Sequence, residues 1–77
     1  MTRQNPEPPD RVWYCEIQYK NTAGLWVADG DGTGPEEGTD PYAIANEIAR
    51  QLARPGHRVV LWDQPGVGRK PVAIAYC

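Results

Sequence analysis

The sequence predicts an α+β domain in which one helix lies between two β-hairpins, in the order β-β-α-β-β. Two stretches, residues 12–20 and 57–63, are rich in β-branched and aromatic residues, and the first alternates apolar with polar side chains. Between them, residues 40–54 have the capping residues and the apolar spacing of an amphipathic helix. Because a single helix covers only one face of a sheet, we expect a two-layer domain.

The N-terminal residues 1–11 differ in composition from the rest of the chain. Pro6, Pro8 and Pro9 stand there among polar residues, which predicts a flexible, Pro-rich tail. Residues 12–77 are then one small domain, and a chain of 77 residues can build only a thin core.

The first hairpin spans residues 12–29. Its first strand alternates between two faces, and the face expected to point inward carries Trp13, Cys15, Ile17 and Tyr19. Residues 21–24 form the turn, with Gly24 able to adopt a positive φ. If Leu25 and Val27 of the return strand face the core, Trp26 faces away from it, and a slip of one residue would reverse this arrangement.

The helix is predicted from both of its ends and from its middle. Asp40 can accept hydrogen bonds from the first-turn N–H groups, and Pro41 suits the first helical position. One apolar stripe contains Ile44, Ala45, Ile48, Ala49 and Leu52. Pro55 disfavours helical backbone at Arg54, so we expect the helix to end there and Gly56 to turn the chain.

The second hairpin consists of strands at 57–63 and 72–77, joined by the loop 64–71. In the last strand Val72, Ile74 and Tyr76 share one face, and the small residues Ala73 and Ala75 share the other. We expect a four-stranded, mainly antiparallel sheet in the order 2-1-3-4. The alternative is the order 1-2-3-4 with a parallel central pair, reached by a right-handed crossover.

Charge and cysteine content limit the classes of function. The formal net charge of −2 gives no general attraction to nucleic acid or to an anionic membrane. Residues 1–40 nevertheless carry a net charge of −5 and residues 41–77 a net charge of +3. No apolar run is long enough to cross a membrane, and the N-terminus does not resemble a signal peptide. Together with only two cysteines, these features predict a reduced, cytoplasmic protein.

The acidic, Gly-rich loop at 29–40 partly resembles a calcium-binding EF-hand loop. Candidate ligand oxygens come from Asp29, Asp31, Thr33 and Glu37, with Gly34 at the sixth position. However, the twelfth position is Asp40, which already caps the helix, and the preceding element is a strand. The pattern therefore favours a solvated acidic loop and no metal site.

No catalytic constellation is present in the sequence. His57 is the only histidine, the chain has no serine, and Cys15 alternates with core residues as a small buried hydrophobe does. We therefore expect a protein that is not an enzyme and that uses no cofactor.

The basic residues support one alternative function. Arg50, Arg54 and Arg58 cluster near the end of the helix, and Arg69 and Lys70 lie in the last loop. With Tyr14 and Trp62 to stack on bases, they could bind nucleic acid. Cations at a helix C-terminus also stabilise the helix dipole, which explains part of the cluster without a ligand.

The leading hypothesis concerns the sheet face opposite the helix, the open face. This face is expected to carry four interface candidates, Tyr14, Trp26, Val60 and Trp62, with Ala73 and Ala75, interrupted by Glu16 and Gln18. Monomers rarely expose so much contiguous apolar surface, and interfaces use aromatic anchors. We expect a small protein-interaction module that forms a homodimer or binds a protein partner through the open face or a strand edge.

Overall fold

A computed structural model of the chain describes residues 11–30 and 34–77. These residues form five strands and one helix, which confirms the α+β class and the single helix. In chain order the elements are β1 (Arg11–Lys20), β2 (Trp26–Ala28), β3 (Pro35–Gly38), α1 (Pro41–Leu52), β4 (His57–Trp62) and β5 (Pro71–Tyr76). β1 begins at Arg11, so this residue of the predicted tail belongs to the sheet, and the rest of the tail lies outside the described residues.

The five strands form one antiparallel sheet. The path is β2-β1-β4-β5, and β3 pairs with β1 beside β2. This confirms the expected order 2-1-3-4, and the parallel alternative is wrong. β1 is the central strand because one of its edges pairs with β4 and the other with both β2 and β3.

Strand β3 lies where the sequence predicted only a loop. β2 pairs with just three residues at the C-terminal end of β1, at positions 18–20. The N-terminal half of the same edge is paired by β3, with Val12 opposite Glu37 and Tyr14 opposite Pro35. Backbone pairing satisfies N–H and C=O groups whatever the side chains are. The segment Pro-Glu-Glu-Gly therefore becomes a strand without any strand propensity of its own.

Both ends of α1 are explained by local contacts. The Asp40 side chain accepts hydrogen bonds from the N–H groups of Tyr42 at 3.1 Å and Ala43 at 3.2 Å, as expected of an N-cap. At the other end Ala53 has a left-handed conformation with φ 49°, and its N–H donates to the Ala49 carbonyl. The helix thus ends one turn before Gly56, which has φ 79° and directs the chain into β4. No helix in residues 11–30 and 34–77 is long and apolar enough to span a membrane.

The core lies between α1 and the sheet. Its buried members come from β1, α1, β4 and β5, and they are Trp13, Cys15, Ile17, Ala45, Ala49, Val59, Leu61, Ala73 and Ala75. Ile44, Ile48, Leu52 and Val72 are partly buried around them. The predicted inward alternation of the first strand holds as far as Ile17. Tyr19 is exposed instead, because it lies past the end of α1, beside the ring of His57. Leu25 precedes β2 and is exposed too.

The expected orientation of the last strand is wrong. Ala73 and Ala75 are only 3% and 4% exposed and face α1, while Ile74 and Tyr76 lie on the open face. Residues directly opposite each other in an antiparallel pair share a face, and Ala75 is opposite the buried Val59. The helix presents its own small residues, Ala45 and Ala49, to the core. Small side chains on both sides let the helix lie close to β5.

Enlarging one of these small core residues tests this close approach. Replacing Ala45, which is 1% exposed, by Leu should lower the free energy of unfolding by about 1–3 kcal/mol, because the core has no room for the added atoms. Urea denaturation measures the change. The matched control is Ala43→Leu on the exposed side of the same helix, expected to lie within about 0.5 kcal/mol of the parent. Equal effects of the two variants would contradict the close packing.

Candidate functional site

The open face of the sheet is the candidate functional site. Cross-strand neighbours on this face are Tyr14 with Trp62, Glu16 with Val60, Gln18 with Arg58, Lys20 with Trp26, Val60 with Ile74, and Arg58 with Tyr76. Arg69, from the loop between β4 and β5, also reaches this face. Glu37 of β3 lies on the same face, opposite Val12. The face therefore combines aromatic rings and long cationic side chains with two carboxylates, one amide and a few aliphatic side chains.

One cluster on the open face is centred on Arg58. Its guanidinium carbon lies 4.4 Å from the ring centroid of Trp26 and 5.9 Å from that of Tyr76. The two rings are themselves 5.8 Å apart and tilted by 57°. Lys20 adds a second cation, 5.6 Å from the Trp26 centroid. Cations at such distances are attracted by the negative faces of the rings, so the cluster holds both aromatic side chains in place.

A second cluster is centred on Glu16. Its carboxylate accepts hydrogen bonds from the indole N–H of Trp62 at 3.2 Å and from the Arg69 guanidinium at 3.4 Å. The same guanidinium lies over the Trp62 ring, with its carbon 3.8 Å from the centroid. Trp62 thus has its polar edge bound by Glu16 and one ring face covered by Arg69.

Gln18 links the two clusters. It is 8% exposed, and its side-chain amide donates to Glu16 at 2.8 Å while its carbonyl accepts from Arg58 Nε at 2.7 Å. A buried amide without partners would cost stability, so these two bonds explain why a polar residue is tolerated there. A continuous set of contacts therefore runs across the face from Trp26 to Trp62.

The interface candidates occupy the open face, but they are not equally available. Tyr14, Trp26 and Trp62 are each partly exposed. Val60 is only 1% exposed, so its side chain offers almost no surface to a partner. The structure adds Tyr76, which is 63% exposed on the same face. Sequence reasoning missed Tyr76 because it reversed the two faces of β5; the pairing of β5 with the buried Val59 is the signal that orients it.

The five basic residues predicted to bind nucleic acid do not form one surface. Arg58 and Arg69 lie on the open face, whereas Arg50 is exposed on α1, which packs on the other side of the sheet. Arg50 is bound by Glu47, whose pKa is lowered first by a hydrogen bond from Gln51 and then by Arg50.

The two remaining basic residues lie near acidic partners. Arg54 at the end of α1 is 3.4 Å from Asp29. The backbone N–H of Lys70 donates to the Asp63 carboxylate in the loop between β4 and β5.

The acidic residues of the loop at 29–40 lie in different parts of the structure. Asp29 faces Arg54 and His57, and Glu37 is part of β3 opposite Val12. Asp31 and Thr33 lie outside the described residues. Among the residues that the structure does describe, no group of three or more His, Cys, Asp or Glu side chains could hold a metal ion.

His57 has partners that the sequence did not predict. Its Nε2 lies 3.5 Å from an Asp29 oxygen, and its Nδ1 lies 3.0 Å from the Pro55 carbonyl oxygen. Cys77 directly follows β5 and is a backbone neighbour of His57, since the Cys77 N–H donates to the His57 carbonyl. With both ring nitrogens directed at these oxygens, His57 is not oriented to take a proton from Cys77. The arrangement does not build a nucleophile and base pair.

Removal of the central carboxylate tests the open-face network. In Glu16→Ala the donors of Trp62, Gln18 and Arg69 lose a shared acceptor, so the free energy of unfolding should fall by about 1–3 kcal/mol. Urea denaturation measures the loss, and a shift of the tryptophan emission reports the altered surroundings of Trp62. Glu37→Ala is the matched control, because Glu37 is an exposed sheet carboxylate. A loss as large in the control would contradict the role of Glu16.

Comparisons with known proteins do not assign the chain to a family. No protein-family model, no curated protein and no solved structure matches the chain. The function has to be argued from the open face itself.

Proposed function

We propose that the chain is a small, non-catalytic interaction module that binds a protein partner through its open face. The observation that supports this most directly is the stacking of Arg58 on Trp26 and Tyr76 and of Arg69 on Trp62. Trp, Tyr and Arg are the residue types that contribute most binding energy at protein interfaces.

The contacts within the face also favour binding. Ordering a long side chain at an interface costs conformational entropy, and this cost is smaller when the side chain is already held. Arg58 is held by Gln18, and Arg69 by Glu16, in the unbound chain. The rings and guanidinium groups are therefore presented in a defined arrangement before a partner arrives.

The charge of the face indicates the chemistry of the partner. Lys20, Arg58 and Arg69 contribute three positive charges, and Glu16 and Glu37 contribute two negative charges. This local excess is opposite in sign to the net charge of −2 for the whole chain. A protein segment with acidic side chains around an apolar anchor would complement it, because opposite charges steer association and disfavour other partners.

Nucleic acid is the second candidate, and the same stacked arginines favour it. Guanidinium planes and aromatic rings both stack on unpaired bases, and the cations suit phosphate. Of the other predicted basic residues, however, Arg50 and Arg54 are on α1 or at its end, away from this face, and Lys70 is in the loop between β4 and β5. Only a short single-stranded segment on the open face would therefore be bound.

A cytoplasmic location and the absence of catalysis and of a cofactor complete the proposal. Cys15 is buried in the core, Cys77 is exposed, and no disulfide joins them, as suits a reducing compartment. The proposal of a binding protein without enzymatic activity rests on the engaged ring nitrogens of His57.

Selection of peptides from a random display library tests the proposed function. The purified chain should enrich peptides with acidic residues around an apolar or aromatic residue. Arg58→Ala and Arg69→Ala should each weaken binding of the selected peptide by about tenfold, measured by calorimetry, because each removes a charged contact. Arg50→Ala on α1 is the matched control and should bind unchanged. Chemical-shift mapping of the bound peptide to any surface but the open face would contradict the proposal.

Titration with single-stranded DNA and RNA separates the two candidates. Binding at about 50 mM salt that weakens steeply as salt is raised, and that is lost in Arg58→Ala, would favour nucleic acid. The protein-partner proposal instead predicts no measurable binding of either oligonucleotide.

A further inference from the structure

The charges of the open face are unevenly distributed along β1. Glu37 lies opposite the start of this strand, and Glu16 lies at its middle, where Arg69 balances its charge. The C-terminal end of the strand has two cations instead, Lys20 on β1 itself and Arg58 on the neighbouring β4. Positive charge on this face is therefore concentrated in the cluster centred on Arg58.

Neither cation of this cluster forms an ion pair with any residue that the structure describes. Ion pairs elsewhere in the described chain join Arg50 to Glu47, Arg54 and His57 to Asp29, and Arg69 to Glu16. Arg58 is held by neutral groups: its Nε donates to the Gln18 carbonyl at 2.7 Å, and a terminal nitrogen donates to the Tyr76 hydroxyl at 3.4 Å. Since Arg58 is half-buried, water solvates its charge only in part, and a bound anion would supply the missing attraction.

The cluster also has donor groups left for a ligand. The bond to Tyr76 uses only one N–H of the two terminal nitrogens of Arg58. The Tyr76 oxygen accepts that bond, so its own proton can be donated to another group. Lys20 adds an ammonium 5.6 Å from the ring centroid of Trp26. Both Lys20 and Tyr76 are exposed, so a ligand can reach these donors from solvent.

We propose that the cluster centred on Arg58 binds the phosphate group of a phosphorylated side chain in a protein partner. This inference rests on the proposed function and names the acidic group that the open face recognises. A phosphate monoester carries a charge of about −1.5 to −2 at neutral pH and has three acceptor oxygens. It therefore complements two cations and a hydroxyl donor better than a carboxylate does, because a carboxylate has one charge and two oxygens.

The phosphodiester of a nucleic acid is a poorer match to the same groups. It carries a single negative charge, so it would leave one of the two cations without a counter-charge. A nucleic acid also presents many phosphates in a row, whereas the open face has Glu16 and Glu37 beyond the cluster. A row of phosphates laid along β1 would approach these carboxylates and be repelled. The charge pattern thus favours one isolated dianion.

NMR titration with short peptides tests the phosphate site. Three acetylated and amidated pentapeptides have glycine at every position except the centre, which is phosphoserine, glutamate or serine. The phosphoserine peptide should bind with a dissociation constant of about 1 mM and shift the backbone amide signals of Lys20, Trp26, Arg58 and Tyr76. The glutamate peptide should bind about tenfold more weakly, and the serine peptide should not bind. Dimethyl phosphate, which has the single charge of a nucleic-acid phosphate, should bind no better than the glutamate peptide.

Substitutions identify the groups that hold the phosphate. Arg58→Gln should weaken binding of the phosphoserine peptide by about tenfold. Because Arg58 also holds two aromatic rings, two milder variants accompany it. Lys20→Gln removes only an exposed charge and Tyr76→Phe removes only a hydroxyl, and each should weaken binding by about threefold. Arg50→Gln is the matched control, because it removes a charge on the other side of the sheet, and it should bind like the parent.

The phosphate site is overturned if the phosphoserine peptide binds no better than the glutamate peptide or dimethyl phosphate, or if the shifted signals lie outside the cluster. It is also overturned if Lys20→Gln and Tyr76→Phe both bind like the parent. These results differ from a failure of the proposed function. Display-selected peptides that map to the open face, without binding of the phosphoserine peptide, would overturn the phosphate site alone. Binding of the phosphoserine peptide at Arg58 would support it even if display selection recovered no peptide.

Discussion

A single helix of twelve residues can cover only one face of a five-stranded sheet, and the rest of the structure depends on this constraint. On the covered side, small residues of α1 and β5 allow close packing around Ile17, Val59 and Leu61. The other side has no second layer within residues 11–30 and 34–77. Its long side chains cover it instead, with Arg58 and Arg69 lying over aromatic rings and Gln18 bonded beneath them.

A cover made of side chains differs from a second layer of helices or strands, because its hydrogen-bond partners can be replaced. The alkyl stem of an arginine shields apolar surface while its guanidinium stays near water. Arg69 is still 36% exposed while it contacts Glu16 and Trp62. In the proposed complex, a carboxylate of the partner would replace the internal acceptor while the ring stays covered. The groups that stabilise the unbound face are therefore also the groups best placed to bind.

The sequence predicts what depends on neighbouring residues and misses what depends on distant ones. Asp40 as the helix cap and the alternation from Trp13 to Ile17 follow from local chemistry, and the two hairpins limit the strand order to two alternatives. Three features do not follow locally: β3, which forms because β1 has an unpaired edge; the orientation of β5, which its partner strand decides; and the contact between Arg58 and Gln18, residues 40 positions apart. The burial of Val60 likewise depends on neighbours from other strands.

The central position of β1 also has a consequence for how the chain folds. The hairpins and the helix are local structures, but the ladder between β1 and β4 joins residues such as Gln18 and Arg58, separated by 40 positions. Closing a loop of that length costs about 3 kcal/mol of chain entropy. The core contains residues from both strands and from the helix between them, so little apolar surface is buried before this loop closes. Docking of β1 on β4, and not formation of the helix, is therefore the step expected to limit the folding rate.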